Sequence, residues 1–287
     1  MRYTITNKLI GAAFDTKGAE LVSLVRSDGF EYIWNGEEWK DHAPVLFPIC
    51  GRLHEGKYSY DGKEYEMLIH GIAKYTEFKV VDLSTSSIVF ELTESEETLK
   101  RYPFAFKLTC AYRLEDNKLL ADFTVENTDN RELPYMFGWH PGFTLGGKGA
   151  LSDFEIAFDE GANLSQYPPS NVCFVSRECY PFPHGNRFNL ERPIIHQFDT
   201  VLLSGDVHHA VLSSVSDSHT VEIRTSENLP YFAIWKMPVD EARYICLEPW
   251  SGIPGVGGAP ERFETKGTMT RIAPGKSEVY SYEVTLG

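Results

Sequence analysis

Apolar and polar side chains alternate with period two along much of this chain, the spacing of strands with one buried face. The clearest case is a pair of long neighbours. Phe106, Leu108, Cys110, Tyr112 and Leu114 fall on one side, with Lys107, Thr109 and Arg113 on the other. After Glu115-Asp116-Asn117 turns the chain, Leu119, Ala121, Phe123 and Val125 line one face of the return strand, opposite Asp122, Thr124 and Glu126. Such a pair predicts an antiparallel sheet with one face on a core. Shorter β-prone runs predict further hairpins: 19–25 with 31–34 around Asp28-Gly29, 57–60 with 63–66 around Asp61-Gly62, and 79–83 with 88–93 around a Ser/Thr turn. Later strands are expected at 200–203, 210–212, 220–223, 231–235, 244–247 and 278–284. Helical signal is confined to 95–101, with Ser95 as N-cap and Pro103 as the stop. From Gln166 to Phe188 four prolines and several Asn, Ser and Gly residues break the pattern, and we expect a loop at the rim of a cleft. Many short strands joined by polar turns predict an all-β fold, a large antiparallel β-sandwich.

Length and composition narrow this further. At 287 residues with 42% hydrophobic content, the chain can bury one large β core, and we expect a single domain over 1–287. No signal-peptide core opens the chain and no apolar run approaches a membrane span, so a soluble, cytoplasmic protein is expected. Five cysteines, an odd number, agree with reduced thiols rather than a disulfide framework. The net charge of −14 repels nucleic acid and anionic membrane, which leaves neutral small molecules as the favoured partners. The sequence does not set the oligomeric state.

Two stretches are built to present an ionisable group. In Gly138-Trp139-His140-Pro141-Gly142-Phe143, the proline drives His140 out of the helical region into extended backbone. Leu247-Glu248-Pro249-Trp250 repeats the design with a carboxylate. A histidine and a glutamate held this way suggest a proton-transfer pair. Arg52 ends the apolar run 43–50, His70 is followed directly by Gly71, and Asp199 opens an apolar strand. Taken singly, these three read first as a structural arginine, a loop histidine and a turn cap. A carboxylate-pair glycosidase would need a second acid in a setting like that of Glu248. Neither His208, His209 and His219 nor Cys173, Cys179 and His184 have a recognised metal-ligand spacing, so no metal is expected, and His208-His209 is expected in an exposed turn.

The order of these motifs carries a resemblance. Cys50-Gly51-Arg52-Leu53-His54-Glu55-Gly56-Lys57-Tyr58, His70-Gly71, Tyr102-Pro103-Phe104, the His140 stretch, Phe198-Asp199 and the Glu248 stretch follow one another as in the aldose 1-epimerases. The chain resembles this galactose mutarotase-like superfamily nearly end to end, in its LacX-like branch. The resemblance implies a β-supersandwich with a sugar site in a shallow cleft on one sheet. It implies catalytic roles for His140 as acid and Glu248 as base, and sugar-holding roles for Arg52, His70 and Asp199. Galactose mutarotases proper carry Asn-His followed by Tyr-Phe-Asn where this chain has Trp139 to Phe143, so no particular sugar is implied.

The implied reaction interconverts α and β anomers by ring opening, which needs two proton transfers and no cofactor. A non-catalytic sugar-binding or sugar-sensing protein would keep the cleft and not need the pair. A hexose-6-phosphate epimerase would need several cations near the cleft, of which Arg52 is one candidate. In either enzyme, we expect His140 and Glu248 to face each other across a space the width of a pyranose ring.

Overall fold

The computed structural model describes residues 1–146, 149–168, 175–176, 178–190, 200–237, 239 and 242–287. Two large antiparallel sheets dominate it. One has nine strands and is centred on the long elements the alternation picks out. Phe106–Glu115 pairs with Lys118–Asn127 in register, Cys110 opposite Phe123, and Lys118–Asn127 pairs on its other edge with the final strand Ser277–Leu286. The apolar sets of both strands are buried and the polar sets are not. The second sheet runs through Leu164–Tyr167, Thr200–Gly205, Tyr231–Trp235, Tyr244–Trp250, Gly138–Trp139 and Val45–Leu46, with Gly142–Thr144 also on Tyr244–Trp250.

The sheets pack face to face through aromatic rings. Trp139 of the second sheet meets Phe123 and Tyr282 of the first, ring centroids 5.9 and 5.4 Å apart. Phe158 meets Phe232 in the same manner. The Tyr282 hydroxyl donates to the Pro249 carbonyl, which satisfies both polar groups inside the core. All-β sandwich architecture, as the pattern predicted, is what the chain adopts.

Local signals mostly hold. Asp61 and Gly62 both have positive φ, the geometry of a two-residue hairpin turn. The helix is Glu96–Arg101, and Ser95 caps it through the Thr98 N–H. Three expectations need correction. Residues 31–34 return along the turn only briefly: Val25 and Glu31 bridge, and the Arg26 and Tyr32 N–H groups donate to the Phe30 and Leu24 carbonyls, before Ile33 bridges to Phe143 instead. The partner of Glu20–Arg26 is the earlier strand Ile10–Asp15. The stretch 166–188 is not loop throughout, since Tyr180–Pro181 and Arg187–Asn189 join the two sheets at their edges; Cys173 lies outside the described residues. His208-His209 is not an exposed turn. His209 opens the strand His209–Ser214 half-buried between Asp159 and Glu222. Among the described residues, no helix is long and apolar enough to cross a membrane.

Candidate active site

The site lies on the second sheet, on the face turned away from the core. Strand alternation makes it. In Tyr244–Trp250, Ile245 and Leu247 join the main core, whereas Tyr244 and Cys246 belong to a separate cluster on the opposite face, Glu248 lines the cleft there, and Trp250 touches both the cleft and the main core. Next to it, Trp139 points into the core and donates its indole N–H to the Ala43 carbonyl. His140, one residue on, therefore faces outward beside Glu248. Gly138 has a steric reason: a Cβ there would sit 2.5 Å from the Trp250 ring. The His140 backbone N–H donates to Pro44, and the Pro141 carbonyl accepts from Leu247, so the residue is held on both sides.

His140 and Glu248 line one cleft of about 230 Å³ together with Arg52, His70, Lys74, Trp39 and Trp235. That is smaller than the roughly 300–1,000 Å³ of drug-sized ligand sites and suits one small polar molecule. The imidazole Nε2 is 3.2 Å from Glu248 Oε2. The two are thus in contact, not separated by the width of a pyranose.

His70 is positioned by strained backbone. Its φ is +62°, and Gly71 follows at +84°. A Cβ on Gly71 would lie 2.1 Å from the Phe47 carbonyl oxygen, so only glycine fits. His70 Nδ1 accepts from the Gly51 N–H at 3.1 Å. This places the ring proton on Nε2 and makes His70 a hydrogen-bond donor. Its ring meets that of His140 edge to face at 5.1 Å. Arg52 is exposed at the rim. Asp199 lies outside the described residues; its chain neighbour Thr200 lines the cleft.

Burial sets the charge state. It pushes the Glu248 carboxyl well above the usual carboxylate range, against smaller lowering effects from the Trp250 indole and Lys74. It pulls His140 down to about 3, with the Lys74 cation acting in the same direction. His70 is also held well below its ordinary value, by burial and then by the charges of His140, Lys74 and Arg52. Burial therefore favours the uncharged pair, with the proton they can exchange on Glu248 rather than on His140. Among the described residues, six buried side-chain polar atoms have no hydrogen-bond partner, and three of them belong here: His140 Nδ1, Glu248 Oε2 and Trp250 Nε1. Each such group costs about 1–3 kcal/mol to leave unpaired. A polar ligand entering the cleft can recover that cost.

Sequence reading missed Trp39, Asp41, Lys74 and Trp235. Trp39 stacks on His140 at 5.0 Å and occupies the space a Cβ on Gly142 would need. Lys74 pairs with Asp41 at 2.5 Å. Nothing in their local sequence marks these residues. Only Cys246 was detectable, as the same-face neighbour two residues before Glu248.

An all-β sandwich with a buried histidine–glutamate pair in an aromatic-walled cleft defines a class, and comparison with known proteins supplies the family. The family model for aldose 1-epimerase matches residues 1–277, and the chain belongs to that family. It is 27% identical to the plasmid-encoded Protein LacX of Lactococcus lactis subsp. lactis, covering 100% of this chain and 99% of that one. A galactose mutarotase-like protein from Lactobacillus casei superposes with a TM-score of 0.94 at 31% identity, covering 100% of both chains. A galactose mutarotase related enzyme from Lactobacillus acidophilus gives 0.93 at 29% identity, over 100% of this chain and 97% of that one.

Proposed function

We propose that the protein is an aldose 1-epimerase that interconverts the α and β anomers of an unphosphorylated monosaccharide. The observation that carries this reading is the 3.2 Å contact between two buried groups of one cleft, each with a polar atom left unpaired. In the ion-pair arrangement, Glu248 takes the proton of the anomeric hydroxyl while protonated His140 gives one to the ring oxygen, and the bond between that oxygen and the anomeric carbon breaks. The products are the open aldehyde, a protonated Glu248 and a neutral His140. After rotation about the C1–C2 bond, closure on the other face returns both protons. The uncharged arrangement favoured by burial is thus the partner of the open-chain sugar, and the ion pair is the partner of the ring. A positioned acid or base of this kind contributes about 100- to 10,000-fold in rate.

His70 supplies an N–H to a sugar oxygen, and Arg52 supplies a guanidinium at the rim. The proposed role of Asp199 is to bind sugar hydroxyls. Among the described residues Arg52 and Lys74 are the cations that line the cleft, and Lys74 is engaged by Asp41, which supports a neutral sugar over a 6-phosphate. The test is anomer exchange, followed by polarimetry or saturation-transfer NMR, across freshly dissolved α-aldoses and their 6-phosphates. Exchange no faster than in buffer for every sugar, with binding intact, would leave a sugar-binding protein.

A further inference from the structure

The sheet places a third donor beside the proton-transfer pair. Cys246 shares the cleft-side face of its strand with Glu248, and among the described residues His140, Cys246 and Glu248 are a group whose ligand atoms all lie within 4.8 Å of one another. We propose that these three residues form a binding site for a thiophilic divalent cation, zinc foremost, and that its occupation blocks the proton transfer. The binding half stands on geometry alone; the inhibitory half rests on the proposed mutarotase reading.

The donor set is one nitrogen, one sulfur and one oxygen, the mixture zinc accepts in four-coordinate sites. Three protein ligands leave the fourth position open for water. The His140-to-Glu248 separation of 3.2 Å matches two ligands of one small cation, and both side chains are more than nine-tenths buried with an unpaired polar atom. Cys246 is fully buried, and burial favours its protonated thiol. Binding therefore exchanges protons for the metal. A neutral imidazole, a thiol and a carboxylic acid become an imidazole–thiolate–carboxylate complex of the dication, and two protons leave to solvent. The site is uncharged before and after, so no net charge is buried. The same complex removes the acceptor on Glu248 and occupies His140, the two groups that exchange protons with the sugar.

Cobalt(II) reports the sulfur directly. The full-length protein, dialysed against a chelator, is titrated with cobalt and then with zinc in competition. We expect a thiolate-to-cobalt charge-transfer absorption, tetrahedral visible bands, and two protons released per metal in weakly buffered solution. While both groups are protonated, the apparent Kd falls about 100-fold per pH unit. Cys246→Ala should abolish the charge-transfer band and weaken zinc binding by at least about 10-fold. The wild-type spectrum judges the site even if that variant fails to fold. Absence of the band, or equal zinc affinity in a folded Cys246→Ala, overturns the site. A band together with undiminished anomer exchange at saturating zinc overturns the inhibition. A metal-free protein that exchanges no sugar overturns the mutarotase reading and leaves the cobalt result to decide the site.

Discussion

Replacing Glu248 with Gln should stabilise the protein, and by an amount that grows with pH. Burial raises the Glu248 carboxyl well above its unfolded value, so the folded state keeps a proton that the unfolded chain releases above about pH 4.3. A group with a raised folded pKa contributes its full stability below the unfolded pKa. That contribution is lost as pH rises towards the folded one. The loss is about 1.4 kcal/mol per pH unit for as long as the folded carboxyl stays protonated. Glutamine keeps the shape and has no proton to lose, so the stability difference between variant and wild type has this slope. Any new hydrogen bond or unpaired amide in the variant adds a constant offset and leaves the slope unchanged. For a chain of this size the slope is about 2 °C in Tm per pH unit. Urea unfolding of both proteins at half-unit steps from about pH 5 to 8 measures it. Parallel stability curves would mean that Glu248 is already ionised in the folded protein, and the uncharged-pair argument would fail.

Other outcomes follow from the same geometry. Glu248→Gln and His140→Asn should each slow catalysed anomer exchange by at least about 100-fold while the sugar dissociation constant changes far less; an unimpaired variant would mean that residue is not the proton carrier. Because His140 and His70 stay neutral when buried, each should weaken the fold as pH drops below about 6.5, by about 1.4 kcal/mol per unit, where the unfolded imidazoles gain protons. In Glu248→Gln this acid limb is no longer offset by the carboxyl, and denaturant titrations should show it steepened. Gly71→Ala should destabilise by more than about 2 kcal/mol and displace His70, since its Cβ meets the Phe47 carbonyl at 2.1 Å; a variant of wild-type stability would contradict that packing. Mutarotase activity should survive exhaustive dialysis against a chelator, because the proposed chemistry moves only protons; loss restored by a divalent ion would refute it.

Period-two alternation is a local property, and it is read from the chain with few errors: the pair Phe106–Glu115 and Lys118–Asn127, the Asp61-Gly62 turn and the Ser95 cap each depend on residues within a few positions of one another. Motif order was equally legible, and with it the family. His140 and Glu248 were visible because a following proline marks each of them. What failed depends on partners distant in sequence. Glu31–Trp34 has the composition of a strand, yet its pairing with Glu20–Arg26 stops after Glu31 and Ile33 bridges to the distant Phe143, while the full-length partner of Glu20–Arg26 is the earlier strand Ile10–Asp15. Trp39, Asp41 and Lys74 look like ordinary loop residues until the sheet carries His140 beneath the indole. The separation of His140 and Glu248 was likewise settled only in three dimensions. Adjacent strands in a sheet bring side chains into contact however far apart they lie in the chain, and burial at that contact, not residue type, decides which of them holds the proton.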